Sequence, residues 1–316
     1  MIFASFLFGL RPTLDESKIT DEFIACWLHA QRVHEFISET SQMTTGLANI
    51  AWSACRKLPV RFPKHEEEQT RIAETLKAAD DHIRALEEQV CKAERVKKAL
   101  LREFFVAEPG RRNEVQECRP WHADPMRLTQ CGSIATGGTP DRGNPSHFDG
   151  DILWVKSGEV DFNSIDSTEE HITAAAASSI NGSLCPAGSV LVAMYGAGVT
   201  RGRSAILAKP AYVNQAIASI ECNTCTDNRW LFFWFQRNYH RVRGFAGGAN
   251  QDNLSLYLLQ GIKLSRPDLT KQREIADVLT ASDSFIRALD AQVTAARRVK
   301  QSLLQNLLTG KIRLKP

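Results

Sequence analysis

No apolar run in this 316-residue chain is long enough to cross a bilayer. The opening MIFASFLFGL is apolar for ten residues, but no basic segment precedes it and no clear cleavage site follows. A cytoplasmic protein without membrane contact is therefore expected. A disulfide framework is missing too. The eight cysteines (26, 55, 91, 118, 131, 185, 222 and 225) are scattered without even spacing, as free thiols in a reducing compartment would be. Cys222 and Cys225 form a lone CxxC with no second pair, and the eight histidines show no ligand spacing, so nothing argues for a metal. Charge is nearly balanced, with 39 Lys and Arg against 36 Asp and Glu; a pI near 8.4 permits an acidic partner without requiring one. Catalytic words are absent as well. There is no GxxxxGK[ST] of a translocase motor and no Asn/Asp-Pro-Pro-aromatic word of an amino-methyltransferase. GAGVTRG has the wrong spacing for a dinucleotide loop and reads as a turn between strands.

What the chain does contain is a repeat. Shifting the sequence by 203 positions lays IAETLKAADDHIRALEEQVCKAERVKKALL over IADVLTASDSFIRALDAQVTAARRVKQSLL, with 17 identities across the 33 residues of 72–104 and 275–307. Apolar positions Ile72, Leu76, Ala79, Ile83, Leu86, Val90, Ala93, Leu100 and Phe104 step by fours and threes, as do Ile275, Leu279, Ile286, Leu289, Val293, Ala296, Leu303 and Leu307. That spacing draws a narrow seam along a helix. Each helix would be a rod of about 50 Å, and two matched seams suggest mutual pairing. Both seams are broken at one place, by Lys97 and Lys300. A seam lysine can fix register or pairing direction; alternatively it snorkels past Val96 or Val299, which would take over the seam.

The similarity reaches upstream at a slightly different offset. TDEFIACWLHAQ (20–31) resembles TDNRWLFFWFQ (226–236), with Trp27 over Trp234, and GLANI (46–50) falls over NLSLY (253–257). Pro63 and Pro267 each stand just before a helix. The initial apolar run then corresponds to the strand around AIASIEC, so the first copy is expected to lack its front part.

Between the helices the period shortens. ILWV (152–155), SVLVAM (189–194), SAIL (204–207) and QAIASIE (215–221) read as strands separated by glycine-rich turns, and RWLFFWFQRNYHRV (229–242) reads as one helix. The expectation is an α+β globule with a curled sheet and long loops. Its charges are segregated: residues 141–170 hold eight acids against two bases, whereas Arg201, Arg203 and Lys209, then Arg229, Arg237, Arg241 and Arg243, form basic runs. A solvated face is one meaning of such runs; a phosphate footprint is the other.

The ordered words GGTPDRGNPSHFDGDILWVKSGEV, PAGSVLVAMYGAGVTRGRSAIL, NQAIASIE and GGANQDNLS, followed by the long helix, resemble the DNA specificity (S) subunit of type I restriction–modification systems. The resemblance covers essentially the whole chain. It implies an α+β fold of mixed α/β target-recognition domains plus two long antiparallel, coiled-coil-like helices. Here that means the C-terminal part of a first recognition domain (1–62), a first spacer helix (63–108), a linker (109–123), a complete recognition domain (124–266), and a second spacer helix with a tail (267–316). It also implies a chain that reads part of a bipartite double-stranded DNA target. Such a chain docks methyltransferase (M) subunits and, through them, restriction (R) subunits, without catalysing either reaction. No cofactor is expected on this chain; S-adenosylmethionine belongs to the methyltransferase partner. With one complete domain, the chain could act with a second copy of itself or another half-specificity chain. The rival readings are a coiled-coil interaction scaffold and an inactive truncated subunit.

Reading would fall to polar loop side chains at base edges, with phosphate contacts fixing register. The candidates are Thr139 in the GGTP turn, Lys156 and Ser157 at a strand end, and Tyr195, Arg201 and Arg203 on the loop after a strong strand. Asn214 and Gln215 at a strand start, and Gln251 and Asn253 in the loop leading back to the spacer, complete the set. Plainer alternatives stand beside several of these: a simple β-turn at Thr139, a solvated lysine at position 156, and capping amides at Asn214 and Gln215.

Overall fold

The computed structural model describes residues 19–40, 42–44, 47–49, 60–105, 125–196, 199–245 and 253–314. The apolar start, the linker expected at 109–123 and Gln251 lie outside them. The chain divides into two compact units, residues 1–94 with 285–316 and residues 95–284, so the divisions fall inside the long helices.

In the first unit, α1 (Asp21–Leu28) is capped by Thr20, whose hydroxyl accepts from the Phe23 N–H, and Asp21 and Glu22 favour its positive end. After α2 (Gln31–Thr40) come two short antiparallel strands, β1 (Gln42–Thr44) and β2 (Leu47–Asn49). The long helix α3 (Glu66–Phe104) opens on three glutamates and is longer than the 33-residue match that announced it.

The second unit holds the recognition-domain sequence. It runs through β3 (Met126–Arg127), β4 (Gly132–Thr136), β5 (Phe148–Val155), β6 (Ser164–Ile165), β7 (Glu170–Ile172), α4 (Ala174–Ser179), β8 (Val190–Ala193), β9 (Ser204–Leu207), β10 (Tyr212–Val213) and β11 (Ile217–Cys222). Then follow α5 (Asn228–Arg237), α6 (Tyr239–Gly244), α7 (Leu256–Gln260), β12 (Lys263–Leu264) and the long α8 (Leu269–Leu308). The main sheet has the order β4-β11-β8-β9-β6, a smaller one β10-β5-β7, and β12 pairs β3. β8 reads VLVA without alternation because both faces are covered. Val190 and Val192 face a core shared with α5, while Leu191 and Ala193 face a second core shared with Val155 and Val213 of the small sheet. Trp230 to Phe235 are all buried, so α5 is apolar all round and lies under the sheet. The stretch expected as one helix is two, broken at Asn238. Its side-chain amide donates to the Trp234 carbonyl at 3.0 Å, competing with continuation of the helix.

Three expectations need correction. Leu101 and Phe105, rather than Leu100 and Phe104, are the buried residues at the end of α3, where the helix turns its face to α5. Val96 and Val299 do not take over the seam, since both stay 57% exposed. Lys97 instead forms an ion pair with Asp283 in the second unit, and Lys300 pairs Asp80 at 2.5 Å in the first. The two pairs are images of each other under the 203-residue repeat. Within the first unit, Glu68–Arg313, Asp80–Lys300 and Glu87–Arg297 run in opposite chain directions, so the long helices pair antiparallel there. Finally, Leu47–Asn49 form strand β2, whereas the matching part of NLSLY begins α7, which Ser255 caps by accepting from the Leu258 N–H.

The helix ends settle the upstream alignment. Thr20 caps α1 as Asp227 caps α5, an offset of 207 that puts Phe23 over Trp230, both buried, and keeps Trp27 over Trp234. Among the described residues no helix is long and apolar enough to cross a membrane, and no group of three or more His, Cys, Asp or Glu could hold a metal ion.

Candidate nucleic-acid interface

The second unit gathers most of the sequence-selected residues at one set of strand ends. β10 pairs β5 in parallel, Tyr212 against Trp154 and Val213 against Val155, so both strands release their next residues at the same edge. Lys156 and Ser157 therefore emerge beside Asn214 and Gln215. Thr139 joins them, its hydroxyl donating to the Gln215 side-chain carbonyl. Its turn is fixed by close packing: a Cβ on Gly137 would stand 1.7 Å from the Val213 carbonyl oxygen. The Gly138 N–H donates to that same carbonyl at 3.0 Å, and the Gly138 carbonyl accepts from the buried Trp154 indole at 3.1 Å. Only glycine permits so close a backbone approach.

Tyr195 and Asn253 reach the neighbouring part of that edge. The Met194 N–H donates to the Ala216 carbonyl at 2.8 Å, and the Met194 carbonyl accepts from Leu254 at 3.0 Å, which sets Tyr195 and Asn253 next to the 214–216 turn. Tyr195 is 39% exposed and Asn253 exposed. Asn214 turns out to be a turn former, its side-chain oxygen accepting the Ala216 N–H at 3.1 Å.

The basic candidates divide. Lys156 is held between Glu169 at 2.7 Å and Glu170 at 2.9 Å, and Arg142, stacked over Phe148 and Trp154, also binds Glu170. Lys156 and then Arg142 hold the Glu170 carboxyl below the usual carboxylate range, and the two glutamates push the Lys156 ammonium up. Arg203 pairs with Asp161 and lies over the Phe162 ring. The half-buried Arg201 has an Nε without a partner among the described residues.

Residues outside the polar candidates anchor this loop. Gly202 has φ +85° and packs on Arg243, the Tyr239 hydroxyl donates to the Val199 carbonyl at 2.5 Å, and Arg243 donates to that hydroxyl at 3.0 Å. The two basic runs thus meet, with Arg201 and Arg203 on the loop and Arg243 on α6 beneath it. Run spacing alone carried no signal for this meeting, because 40 residues of sheet and helix separate Arg203 from Arg243. Away from the edge, Cys222 is pushed up to about 12 by burial and by neighbouring Cys131. Its thiol is therefore held in the protonated form at neutral pH.

This geometry is a polar, cation-bearing edge on a rigid sheet, suited to recognition. The family described as the type I restriction modification DNA specificity domain matches residues 121–295, more than half of the sequence. The chain belongs to that family. It is a DNA specificity chain and, by itself, not an enzyme. Its sequence is 22% identical, across 97% of this chain and 71% of the relative, to the type I restriction enzyme MjaX specificity subunit of Methanocaldococcus jannaschii. The MjaIX specificity subunit of the same organism is also 22% identical, over 58% of this chain and 43% of the relative. In fold it is similar to the type I restriction–modification S subunit from M. genitalium, with TM-score 0.63 at 14% identity over 93% of this chain and 74% of that one. The HsdS subunit from Thermoanaerobacter tengcongensis gives 0.52 at 15% identity over 92% and 70%. The α+β fold of helices and mixed sheets is thus one that this chain shares with those S subunits.

Proposed function

We propose that the complete recognition domain reads one part of a bipartite double-stranded DNA target through the edge formed by Thr139, Lys156, Ser157, Tyr195, Asn214, Gln215 and Asn253, with Arg201, Arg203 and Arg243 on the adjacent phosphates. One observation carries this reading: residues from five separate loops converge where β5, β8 and β10 end. Direct amide and hydroxyl groups suit base edges, and guanidinium groups suit phosphates or guanine. Lys156 and Arg203 are held by acids in the free chain, so DNA must compete for them. That makes Arg201 the strongest phosphate contact of the three.

The long helices dock methyltransferase subunits and, through them, restriction subunits; the methyl donor S-adenosylmethionine stays with the methyltransferase. α3 carries both Lys97 and Asp80, and α8 both Lys300 and Asp283, so each helix holds both halves of the pairing code. The test is sequencing of DNA retained by the chain with its methyltransferase. One enriched word, lost on Gln215→Ala or Tyr195→Ala, is expected. No enriched word with the partner bound would sink the proposal.

A further inference from the structure

Both long helices carry a completely buried glutamine at their fourth residue, Gln69 in α3 and Gln272 in α8. A buried carboxamide is costly unless its donors and acceptor are all used. Here they are used in the same way twice. The Gln69 side-chain oxygen accepts the N–H of Thr20 at 2.8 Å, and its amide donates to the Pro63 carbonyl at 2.8 Å. The Gln272 oxygen accepts the N–H of Asp227 at 2.8 Å, and its amide donates to the Pro267 carbonyl at 2.8 Å and to the Cys225 carbonyl at 3.1 Å. Thr20 and Asp227 are the caps of α1 and α5, the aromatic helices that precede each spacer. One amide thus ties three segments: the cap of the domain helix, the proline turn, and the first turn of the spacer.

We infer that Gln69 and Gln272 are positioning residues that lock each spacer helix to the recognition domain it leaves, and so set where a sequence word lies relative to the spacer. An apolar side chain of equal volume would fill the space but leave the cap N–H and the proline carbonyl unpaired. Glutamate would keep the acceptor and lose both donors, with a charge in a site closed to water. Nearby apolar contacts, Ile275, Ala276 and Leu279 in the second copy, hold the helix against α5 without fixing its direction. The hydrogen bonds supply that direction.

The inference rests on the DNA-reading proposal, and its test separates the two. The full chain with its methyltransferase partner selects DNA from a library in which two half-site words stand at varied separations, using wild type, Gln272→Met and Gln272→Glu. Amide hydrogen exchange is followed on the same proteins. The expected result is an unchanged word, a distribution of accepted separations widened by at least one base pair, and loss of protection confined to Asp227 and the first turn of α8. Unchanged separations in both variants would overturn the inference. So would loss of protection throughout the domain, which would make Gln272 a folding residue. A wild-type chain that enriches no word would overturn the DNA reading itself, and this inference with it.

Discussion

Replacing Lys97 by methionine removes one half of the ion pair with Asp283 and keeps the stem volume. The lysine side chain is 13% exposed and the aspartate 23%. Leaving one charge of a fully buried pair alone costs about 3–5 kcal/mol, and a solvent-exposed pair is worth about 0.2–1 kcal/mol. At this burial the cost should be about 2 kcal/mol, including the lost contact of the ammonium with the Phe233 ring at 5.6 Å. The repeat supplies an internal control. Lys300 and Asp80 make the equivalent pair but are 25% and 46% exposed, so Lys300→Met should cost under about 1 kcal/mol. Thermal unfolding followed by tryptophan fluorescence reads the second unit through Trp154, Trp230 and Trp234, and the first through Trp27. For a unit of this size, about 2 kcal/mol appears as a loss of about 4–8 °C in Tm. Adding Asp283→Leu to Lys97→Met should return most of the loss, because the stranded charge is then gone. Val96→Ala should change little, its side chain being 57% exposed. Equal costs at positions 97 and 300, or single losses that simply add in the double variant, would refute this account of the seam.

Gly137→Ala should destabilise the second unit by about 3 kcal/mol or more, since the new methyl meets backbone that cannot yield; a Tm within 2 °C of wild type, roughly the change from an ordinary surface substitution, would count against it. Acidification should release Lys156 and Arg142 only at unusually low pH. Glu170 has a lowered folded pKa, so its contribution is present above the unfolded value and fades as pH falls through the folded one. Carbon-detected NMR titration of Glu170 checks this, and a midpoint at or above that of an exposed glutamate contradicts it. Arg201→Ala should weaken DNA binding similarly on all sequences and lower the salt slope by about 1, read by fluorescence anisotropy across salt. Iodoacetamide at pH 7.5 should label exposed Cys91 and Cys225 and leave Cys222 and Cys131 unmodified until denaturant is added; labelling of native Cys222 at the rate of Cys225 would contradict the burial argument.

The sequence alone determined the parts of this protein that obey a period or a repeated word. Helix periodicity and 17 matched residues placed both long helices, because a seam must recur every three or four residues whatever lies against it. Strands β5, β8, β9 and β11 were legible as apolar runs between glycine turns, and the ordered motifs named the family. What the sequence left open depended on distance in space. Whether Lys97 reaches solvent or Asp283 turns on the register of two helices nearly 190 residues apart. Burial of Gln69 and Gln272 turns on a cap and a proline that only the folded chain brings to them. The interface behaves likewise. Thr139, Lys156, Tyr195, Gln215 and Asn253 were each selectable as polar loop residues. Their convergence was decided by the parallel pairing of β10 with β5 and by the Met194 hydrogen bonds. The antiparallel pairing of β5 with β7 likewise decided that Lys156 is engaged by glutamates. Local propensity acts over a few residues, whereas pairing choices among strands and ions are made by the packed whole.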